Sequence, residues 1–321
     1  MDSKIQAVMI GHAVADALGV PVEFASREEL RRDPVTDMRG YGTYSVPAGS
    51  WSDDTSMALC ALDRLCGGRV DYRGIMRNFS KWINKGAFTP GGVCFDRGGI
   101  CSRAVERFSE GIPPLRCGLD EEYSNGNGSL MRIHPFALRA YFTGLNEDEA
   151  IELVERGSAL THAHSRSLMG CGIYSFILWA LLDRADKDSI RRGLAKARDY
   201  YRGHSETEAY RRLFAHIGGL GREGDGAVKE VGEEEILSTG YVVDSLEAAI
   251  YCLLNTDGYT ECVLRAVNLG SDTDTVGAIA GGLAGALYGY EAIPEGWRNT
   301  LIKREYIEKM CKRITARHTN R

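Results

Sequence analysis

Apolar residues recur at helical spacing through most of this sequence, and the strict alternation of a β-strand is nearly absent. Two clear examples are the segments Ile5-Val8-Met9-His12 and Met57-Cys60-Ala61-Arg64-Leu65. Further helical runs are predicted at about 72–84, 101–110, 129–142, 147–161, 165–184, 188–202, 205–218, 244–254, 259–269, 275–288 and 297–315. Residues three or four positions apart share one helix face, so each run can bury one apolar stripe. The pattern therefore predicts an all-α fold.

The run from Val276 to Tyr288 differs from the others because glycine and alanine make up most of it. These residues are Gly277, Ala278, Ala280, Gly281, Gly282, Ala284, Gly285 and Ala286. Glycine is costly inside an isolated helix, and its presence is explained where a second backbone comes very close. We therefore expect this helix to lie at the centre of an orthogonal helical bundle. It is also too short to span a bilayer.

The length and composition are those of an ordinary globular protein. The chain has 321 residues, of which 44% are hydrophobic and 26% charged, and its net charge is -5. A chain of this length can bury a sizeable core as one large domain or two medium ones. The negative charge argues against a nucleic-acid-binding surface as the main function. The glycine- and glutamate-rich stretch from Gly218 to Glu235 is interpreted as an exposed loop, so we predict one domain over residues 1–321.

The cysteines and the N-terminus favour a cytoplasmic protein. The nine cysteines form no CxxC pair, and several occupy apolar helical positions where a free thiol acts as a small hydrophobe. An odd number of unpaired thiols is typical of a reducing compartment. The sequence from Met1 to Ile5 lacks the basic and then apolar layout of a secretion signal. We expect no membrane partner.

Two short acidic clusters lie far apart, and each directly precedes an apolar helical run. They are Trp51-Ser52-Asp53-Asp54-Thr55 and Gly270-Ser271-Asp272-Thr273-Asp274-Thr275. Carboxylates with interleaved hydroxyls form all-oxygen ligand sets for hard cations such as Mg²⁺ or Mn²⁺. If the two loops meet, their mutual repulsion is relieved by one or two bound metals. The alternative is helix capping, for which Ser, Thr and Asp are the preferred residues.

Further polar motifs follow one another in order along nearly the whole chain. Besides the two acidic clusters they are Asp16-Ala17-Leu18-Gly19-Val20-Pro21-Val22-Glu23-Phe24, Phe95-Asp96-Arg97-Gly98, Asn125-Gly126-Asn127-Gly128-Ser129-Leu130-Met131-Arg132, Leu160-Thr161-His162-Ala163-His164 and Gly240-Tyr241-Val242-Val243-Asp244. Each motif alone is a weak signal. Together, in this order and at these separations, they resemble the ADP-ribosylglycohydrolases of the dinitrogenase-reductase-activating glycohydrolase type.

The resemblance implies an all-α fold that holds two divalent cations, Mg²⁺ or Mn²⁺. The metal ligands that it implies are Ser52, Asp53, Asp54, Asp272, Asp274 and Thr275, with Glu23 close to the same centre. The sequence departs from the family pattern at Ser52, where threonine is usual, and at Ala15, where glycine is common. Serine at position 52 keeps the hydroxyl ligand that threonine would supply. The extra methyl group of Ala15 could shift the site if another element packs tightly against it.

Two carboxylates are candidates for acid and base catalysis. Cleavage of an ADP-ribosyl bond develops positive charge at the anomeric carbon and needs an activated water and a carboxylate partner. The Phe95-Asp96 segment resembles the branch of the family that acts on ADP-ribosyl-arginine, so we predict Asp96 as the general base. Glu23 is placed at the metal edge, and its share in the same role stays open. The alternatives are a salt bridge from Glu23 to Arg27 and a turn-capping role for Asp96.

Substrate binding is predicted at a glycine-rich segment and at the side chains of His162 and Tyr241. Residues Asn125, Gly126, Asn127, Gly128 and Ser129 are expected to open a helix and cradle the diphosphate, although such segments are often only turns. His162 is placed beside the ribose or diphosphate by the resemblance. Tyr241 is expected to line the nucleoside, with core packing as its alternative. His12 and Asp16 stand one helical turn apart, where they could hydrogen-bond. The favoured alternative for His12 is a histidine satisfied on a partly buried helix face.

These expectations converge on a metal-dependent hydrolase that removes ADP-ribose from a protein side chain, most simply arginine. The alternatives are hydrolysis of another ADP-ribosyl linkage, such as that to serine or in O-acetyl-ADP-ribose, and a non-catalytic ADP-ribose-binding protein. Two complete acidic loops argue against the last of these, because a purely structural protein has no physical reason to keep carboxylates that repel one another.

Overall fold

The computed structural model describes residues 2–220 and 231–315, and within these ranges it is built of helices and loops with only three isolated β-bridges. The α-helices are α1 (Asp2–Gly19), α2 (Arg27–Arg32), α3 (Asp53–Leu65), α4 (Tyr72–Lys85), α5 (Gly99–Ser109), α6 (His134–Thr143), α7 (Glu147–Ser158), α8 (Ser165–Asp183), α9 (Lys187–Tyr200), α10 (Val242–Leu254), α11 (Tyr259–Asn268), α12 (Thr273–Tyr288), α13 (Glu295–Thr300) and α14 (Arg304–Thr315). Short 3₁₀ turns occupy Val20–Val22, Gly42–Tyr44, Pro114–Arg116, Leu130–Arg132, Ser205–Tyr210, Glu233–Glu235 and Tyr290–Ala292, and a π-helical turn occupies Leu213–Ile217. The all-α prediction is confirmed.

Four local details of the helix prediction were wrong. The run predicted at 297–315 is divided between α13 and α14 by a turn at 301–303. The helix predicted at 129–142 begins only at His134, because a 3₁₀ turn precedes it and Pro135 occupies the first turn of α6. The run at 205–218 forms 3₁₀ and π turns instead of an α-helix. Helix α2 was missed, although Ser26 and Glu29 form a capping box that the sequence displays. Of the predicted loop at 218–235, residues 221–230 lie outside the described ranges.

Helices α1 and α12 cross with their backbones almost in contact. A Cβ atom on Gly281 would lie 2.5 Å from the carbonyl oxygen of Gly11, and a Cβ atom on Gly285 would lie 2.1 Å from that of Ala7. A side chain at either glycine would displace the partner backbone. Nearly every residue of α12 is buried, so the glycine- and alanine-rich helix lies inside the bundle as predicted.

The methyl group of Ala15 is accommodated at the same crossing. It lies 2.4 Å from the place that a Cβ atom of residue 281 would take, and Gly281 has no such atom. The extra methyl that could have shifted the site is therefore absorbed by a glycine on the facing helix.

Two segments, Ser3–Val22 and Ser165–Asp183, are long and apolar enough to cross a membrane by length and composition alone. In the structure 89% and 72% of their apolar windows are buried inside the protein. Core helices of globular proteins meet the same criteria, and both helices here pack against the rest of the bundle.

We predict that Gly285→Ala destabilises the protein even though alanine is the better helix former. The new methyl would meet the Ala7 carbonyl oxygen, which cannot move without shifting α1, and overpacking of this kind costs roughly 1–3 kcal/mol. Urea unfolding monitored by circular dichroism measures the change. The matched control is Gly296→Ala in α13, where a Cβ atom meets nothing within 4 Å. That change should be neutral or stabilise by up to about 1 kcal/mol, and equal losses in both variants would contradict the argument.

Candidate functional site

The two acidic loops meet in space. The hydroxyl of Thr275 donates to Asp54 Oδ2 at 3.2 Å across 221 residues of sequence, and the Ser52 hydroxyl donates to the same oxygen at 3.0 Å. All three side chains are at least nine-tenths buried. One carboxylate oxygen of the first loop is thus bound by both loops.

Helix α1 fixes the position of the first loop. Asp16, which is fully buried in α1, accepts the Ser52 N–H at 2.9 Å, the Thr55 N–H at 3.0 Å and the Thr55 hydroxyl at 2.6 Å. These bonds hold the start of α3 against α1. The hydrogen bond from His12 to Asp16 that the spacing allows is not formed, because the carboxylate is taken by the loop and the centroid of the His12 ring lies 4.2 Å from that of His134.

The end of α1 also fixes the second loop. A Cβ atom on Gly19 would lie 2.3 Å from Asp274 Cα, so glycine is needed for this approach. The Thr273 hydroxyl donates to the Gly19 carbonyl at 2.9 Å. Both acidic loops therefore rest on the last turns of one helix.

The segment after α1 brings Glu23 to the same place. The Phe24 N–H donates to the Ser271 carbonyl and the Ser271 N–H donates to the Ala25 carbonyl, both at 2.7 Å. In consequence one carboxylate oxygen each of Glu23, Asp272 and Asp274 lie within 4.8 Å of one another. The alternative salt bridge of Glu23 is not formed, since Arg27 donates to backbone carbonyls at residues 233, 236 and 269.

The free oxygens of this cluster fit a hard divalent cation. Glu23 Oε2, Asp54 Oδ1 and Asp274 Oδ2 are buried acceptors without a hydrogen-bond donor among the described residues. A buried carboxylate oxygen without a partner is costly. Hard divalent cations take oxygen ligands of this kind, and their charge would offset that of the carboxylates.

The electrostatics of the centre are dominated by burial and by carboxylates. Burial, followed by the charge of Asp96, raises the pKa of Glu23 to about 8. Burial also raises the pKa of Asp16 to about 6 and those of Asp54 and Asp274 well above their usual value, and neighbouring carboxylates add to the last two. Without a cation several of these groups would hold protons at neutral pH.

Asp96 joins the cluster through Asp53. The N–H of Gly98 donates to Asp53 Oδ2 at 3.3 Å, which ties the Asp96 loop to the start of α3. Burial and then Asp96 raise the pKa of Asp53. Burial raises the pKa of Asp96 as well, while hydrogen bonding from Asp53, Tyr44 and the Arg97 backbone opposes that rise. The backbone contact gives Asp96 a local turn role in addition to its place in the cluster.

Tyr44 was missed by the sequence analysis. Its hydroxyl faces both Glu23 and Asp96, and its ring lies 5.1 Å from that of Phe95. No motif indicates this residue, because its turn reaches the site only through the fold. Asp16 was also missed as an anchor, although a carboxylate within the apolar α1 sequence was a readable signal.

Helix capping explains one residue of the acidic loops. Ser52 caps α3, since its hydroxyl accepts the Asp54 N–H at 3.3 Å. Asp272 stands at the cap position of α12 but its side chain makes no capping bond there. Instead Asp272 Oδ2 accepts from the side-chain amide of Asn127 at 2.8 Å. Capping of α3 and α12 therefore does not account for the carboxylates of the two acidic loops.

The glycine-rich segment at 125–129 borders the centre but does not open an α-helix. Asn127 binds Asp272 and also the Ser245 hydroxyl, and the Asn127 N–H donates to the Gly240 carbonyl. Gly126 pairs with Tyr241 in an isolated bridge. The expected helix N-terminus is therefore absent, and any anion here would meet loop amides instead.

Ser129 points away from the site. Its hydroxyl accepts from Ser158 at 2.8 Å and contacts Cys171, and the residue is fully buried. Its side chain is therefore engaged in the core, which the sequence alone does not indicate, and its assignment to the substrate site stays a prediction. Asn125 is also buried, with its amide donating to the Glu122 carbonyl and its oxygen accepting from Ser167.

His162 lies against the glycine segment in a fixed orientation. A Cβ atom on Gly126 would lie 3.6 Å from its Nε2, and one on Gly128 would lie 2.9 Å from its Cε1. Burial, and then the charge of Arg132, lowers the pKa of His162 to about 3, so the ring is neutral. The Thr161 hydroxyl lies 2.8 Å from its Nδ1.

Arg132 favours one hydrogen-bonding role for the Thr161 hydroxyl, that of donor to His162. The fully buried guanidinium donates to the Thr161 hydroxyl oxygen at 2.7 Å and to the Gly157 carbonyl at 3.1 Å. With a donor already on its oxygen, Thr161 has its proton available for His162 Nδ1. His162 then carries its hydrogen on Nε2, the nitrogen that faces Gly126. Arg132 neither reaches the acidic loops nor lies open to a phosphate.

Tyr241 is half-buried beside the same segment, at the start of α10. The Arg166 guanidinium lies 6.0 Å from the centre of its ring. Arg166 is itself held by Glu122 at 2.8 Å and by Glu206 at 2.6 Å. The exposed face of Tyr241 is thus fixed next to Gly126.

The chain is similar to known proteins over its whole length. A family model described as ADP-ribosylglycohydrolase matches residues 1–321. An ADP-ribosylarginine hydrolase of Serratia proteamaculans is 31% identical over 97% of this chain and 78% of its own, and one of Pseudomonas putida is 32% identical over 98% and 78%. A solved ADP-ribosylglycohydrolase-related protein complex matches at a TM-score of 0.79 and 30% identity, over 98% of both chains. The resemblance seen in the motifs is confirmed.

We predict that the metal-free protein loses stability as pH rises from about 6.5 to about 8. Glu23 has an ordinary pKa of 4.5 when unfolded and of about 8 when folded. Between these values the folded state holds a proton that the unfolded chain releases, so raising the pH favours unfolding. The buried histidines oppose this trend only below pH 6.5, where the unfolded rings become protonated. Urea unfolding with a chelator present measures the decline.

Two comparisons test the cause of that decline. Glu23→Gln should make it shallower, because no proton is then released at this position while Asp54 and Asp274 still contribute. Adding Mg²⁺ or Mn²⁺ should reverse it, since a cation bound to the ionised folded site stabilises only the folded state. A stability that rises over this range in the chelated wild-type protein would contradict the assignment.

We also predict that His162 is the Nε2–H tautomer. Two-dimensional ¹H–¹⁵N spectra of the imidazole nitrogens report the tautomer, and His162→Gln identifies the signal. Thr161→Val removes the donor to Nδ1 and should shift the ring toward a mixture of tautomers. Thr161→Ser keeps the hydroxyl and should preserve the wild-type spectrum. An Nδ1–H signal in the wild-type protein would show that the hydroxyl accepts instead of donating.

Proposed function

Because the chain belongs to the ADP-ribosylglycohydrolase family, we propose that it hydrolyses the bond between ADP-ribose and an arginine side chain of a modified protein. The observation that carries this proposal is the meeting of both acidic loops with Glu23 and Asp96 in one buried cluster. Two relatives named as ADP-ribosylarginine hydrolases, each matching nearly the whole chain, support arginine as the acceptor.

The acidic centre would hold two divalent cations, Mg²⁺ or Mn²⁺. The residues proposed to bind them are Ser52, Asp53, Asp54, Asp272, Asp274 and Thr275, with Glu23 at the edge. The orphaned oxygens of Glu23, Asp54 and Asp274 support this assignment. When bound, such cations supply Lewis acidity toward a water molecule and the ribose hydroxyls.

Asp96 is proposed as the general base. It faces the cluster from the side of Asp53, and Tyr44 holds it beside Glu23. A carboxylate here can accept the proton of the attacking water while positive charge develops at the anomeric carbon. The departing guanidine needs one proton. We propose that Glu23, whose raised pKa lets it hold a proton at the edge of the centre, supplies that proton.

The glycine segment and two rings are proposed to bind the rest of the substrate. The loop amides around Gly126 and Gly128 are proposed to bind the diphosphate, with the buried His162 ring packed against both glycines. Asn127 joins this segment to the centre through Asp272. Tyr241 offers a half-exposed ring to the nucleoside.

The protein is proposed to act in the cytoplasm. Eight of the nine cysteines are buried, as expected of thiols that act as small hydrophobes in a reducing compartment. An arginine-modified protein of the same compartment would be the substrate.

We predict that the purified protein releases ADP-ribose from an arginine-modified protein only when Mg²⁺ or Mn²⁺ is present. Asp54→Asn should lower kcat by more than about 100-fold, the upper figure for partners that merely orient metal ligands. Asp188→Asn, which alters an exposed carboxylate with 83% of its side chain accessible, should leave kcat unchanged. Chromatography of the released nucleotide measures both. Release in the presence of a chelator, or release only from serine-linked or O-acetyl-ADP-ribose substrates, would contradict the proposal.

A further inference from the structure

Most of the exposed apolar side chains lie beside the acidic centre. Within the described residues eight large apolar side chains are exposed, namely Phe24, Tyr41, Val93, Leu115, Tyr123, Leu145, Leu237 and Tyr306. Scattered single residues of this kind are normal on a protein surface, whereas a group around one opening marks an interaction site.

Three of them adjoin residues of the centre in sequence. Phe24, with 70% of its surface exposed, directly follows Glu23. Tyr41 is 68% exposed and precedes Tyr44 on the same turn. Val93 is 65% exposed and precedes Asp96 on the loop that Gly98 ties to Asp53.

Two more adjoin the centre through backbone hydrogen bonds. Leu237 is 52% exposed and precedes Ser238, whose carbonyl accepts the Asp272 N–H at 3.0 Å. Tyr123 is 98% exposed and follows Glu122, whose carbonyl accepts the side chain of Asn125. These five residues, Phe24, Tyr41, Val93, Tyr123 and Leu237, form what we call the apolar rim.

The rim residues are held outward by ordered backbone. Phe24 has a φ of 69° and Tyr41 a φ of 65°, a left-handed conformation that bulky residues rarely adopt. Both are fixed by hydrogen bonds, from the Phe24 N–H to the Ser271 carbonyl and from the Tyr41 N–H to the Val46 carbonyl. Strained residues of this kind persist only where the surrounding structure enforces them. The exposure of these rings is thus built into the fold.

We propose that the apolar rim docks the folded surface of the ADP-ribosylated protein, so that the modified side chain enters the centre between the rim residues. This inference rests on the proposed function. The rim residues stem from separate loops that each adjoin the centre, whereas the nucleotide is proposed to bind beside Gly126 and His162. A protein surface is the occupant that can contact residues on all of these loops at once.

The charges beside the rim favour a basic surface. Asp120 and Glu121, which stand just before Tyr123, are exposed and acidic. A protein that carries positive charge around the modified arginine complements them. Histone mono-ADP-ribosylated on arginine is therefore a suitable probe.

The test compares a protein substrate with a small one. Phe24→Ser/Tyr41→Ser/Leu237→Ser should lower kcat/KM on the modified histone about tenfold or more, while kcat/KM on free ADP-ribosyl-arginine stays within about twofold. The matched control is Leu115→Ser/Leu145→Ser/Tyr306→Ser, which removes the same number of exposed apolar side chains away from the centre. It should leave both values unchanged. Urea unfolding of each variant checks that the fold is intact.

If the apolar rim does not dock the modified protein, the triple variant gives the same result on both substrates. Equal losses on both substrates would assign the rim to the nucleotide or the centre and would overturn docking. No loss on either substrate would also overturn it. If the wild-type protein hydrolyses neither substrate, the proposed function fails. Biolayer interferometry then decides the rim separately, because docking requires the triple variant to bind modified histone about tenfold more weakly than the wild-type protein does.

Discussion

The whole site depends on the close crossing of α1 and α12. Glycines on both helices let the backbones meet, and the same approach continues to Gly19, which packs on the main chain of Asp274. One turn earlier, Asp16 binds the start of α3 and so fixes the other acidic loop. Two loops separated by more than 200 residues are therefore both positioned by α1. Larger residues at the crossing would push α12 away from α1 and so separate the two acidic loops. A shift of a few ångströms is enough to break the hydrogen bonds that join them.

The centre collects carboxylates that would be unstable if all were ionised. Burial raises their pKa values, and the strongest charge effects on Glu23, Asp54 and Asp274 come from other carboxylates and not from Lys or Arg. Hydroxyl and amide donors from Ser52, Thr275 and Asn127 satisfy only some of the oxygens. The protein thus holds a site that is incomplete by itself and that a cation or protons must complete. Stability elsewhere in the bundle, above all the buried α12 packing, offsets this local cost.

The sequence predicted the helices and the acidic loops better than the details between them. Helical spacing identified most long helices, and the excess of oxygen ligands over the needs of capping distinguished Asp54 and Asp274 from ordinary caps. Orientation within loops was not predictable, since Ser129 turns into the core and the start of α6 is delayed by a 3₁₀ turn. Tyr44 could not be found either, because its place beside Glu23 exists only after folding. The partners of Asp16 at Ser52 and Thr55 could not be found either, because spacing along one helix does not reveal contacts from distant segments.

Chemistry at the centre and recognition at the rim use different physical interactions. The centre is proposed to act on a ribose and a diphosphate. These groups are the same whatever protein carries them, so such a centre cannot by itself distinguish one modified protein from another. Discrimination among proteins has to come from surface outside the nucleotide pocket. Phe24 joins the two regions, because its backbone binds the Ser271 loop while its ring is exposed to solvent. A protein docked on Phe24 would therefore press on the segment that carries Glu23. Recognition of the partner would then help to order the acidic centre on which hydrolysis depends.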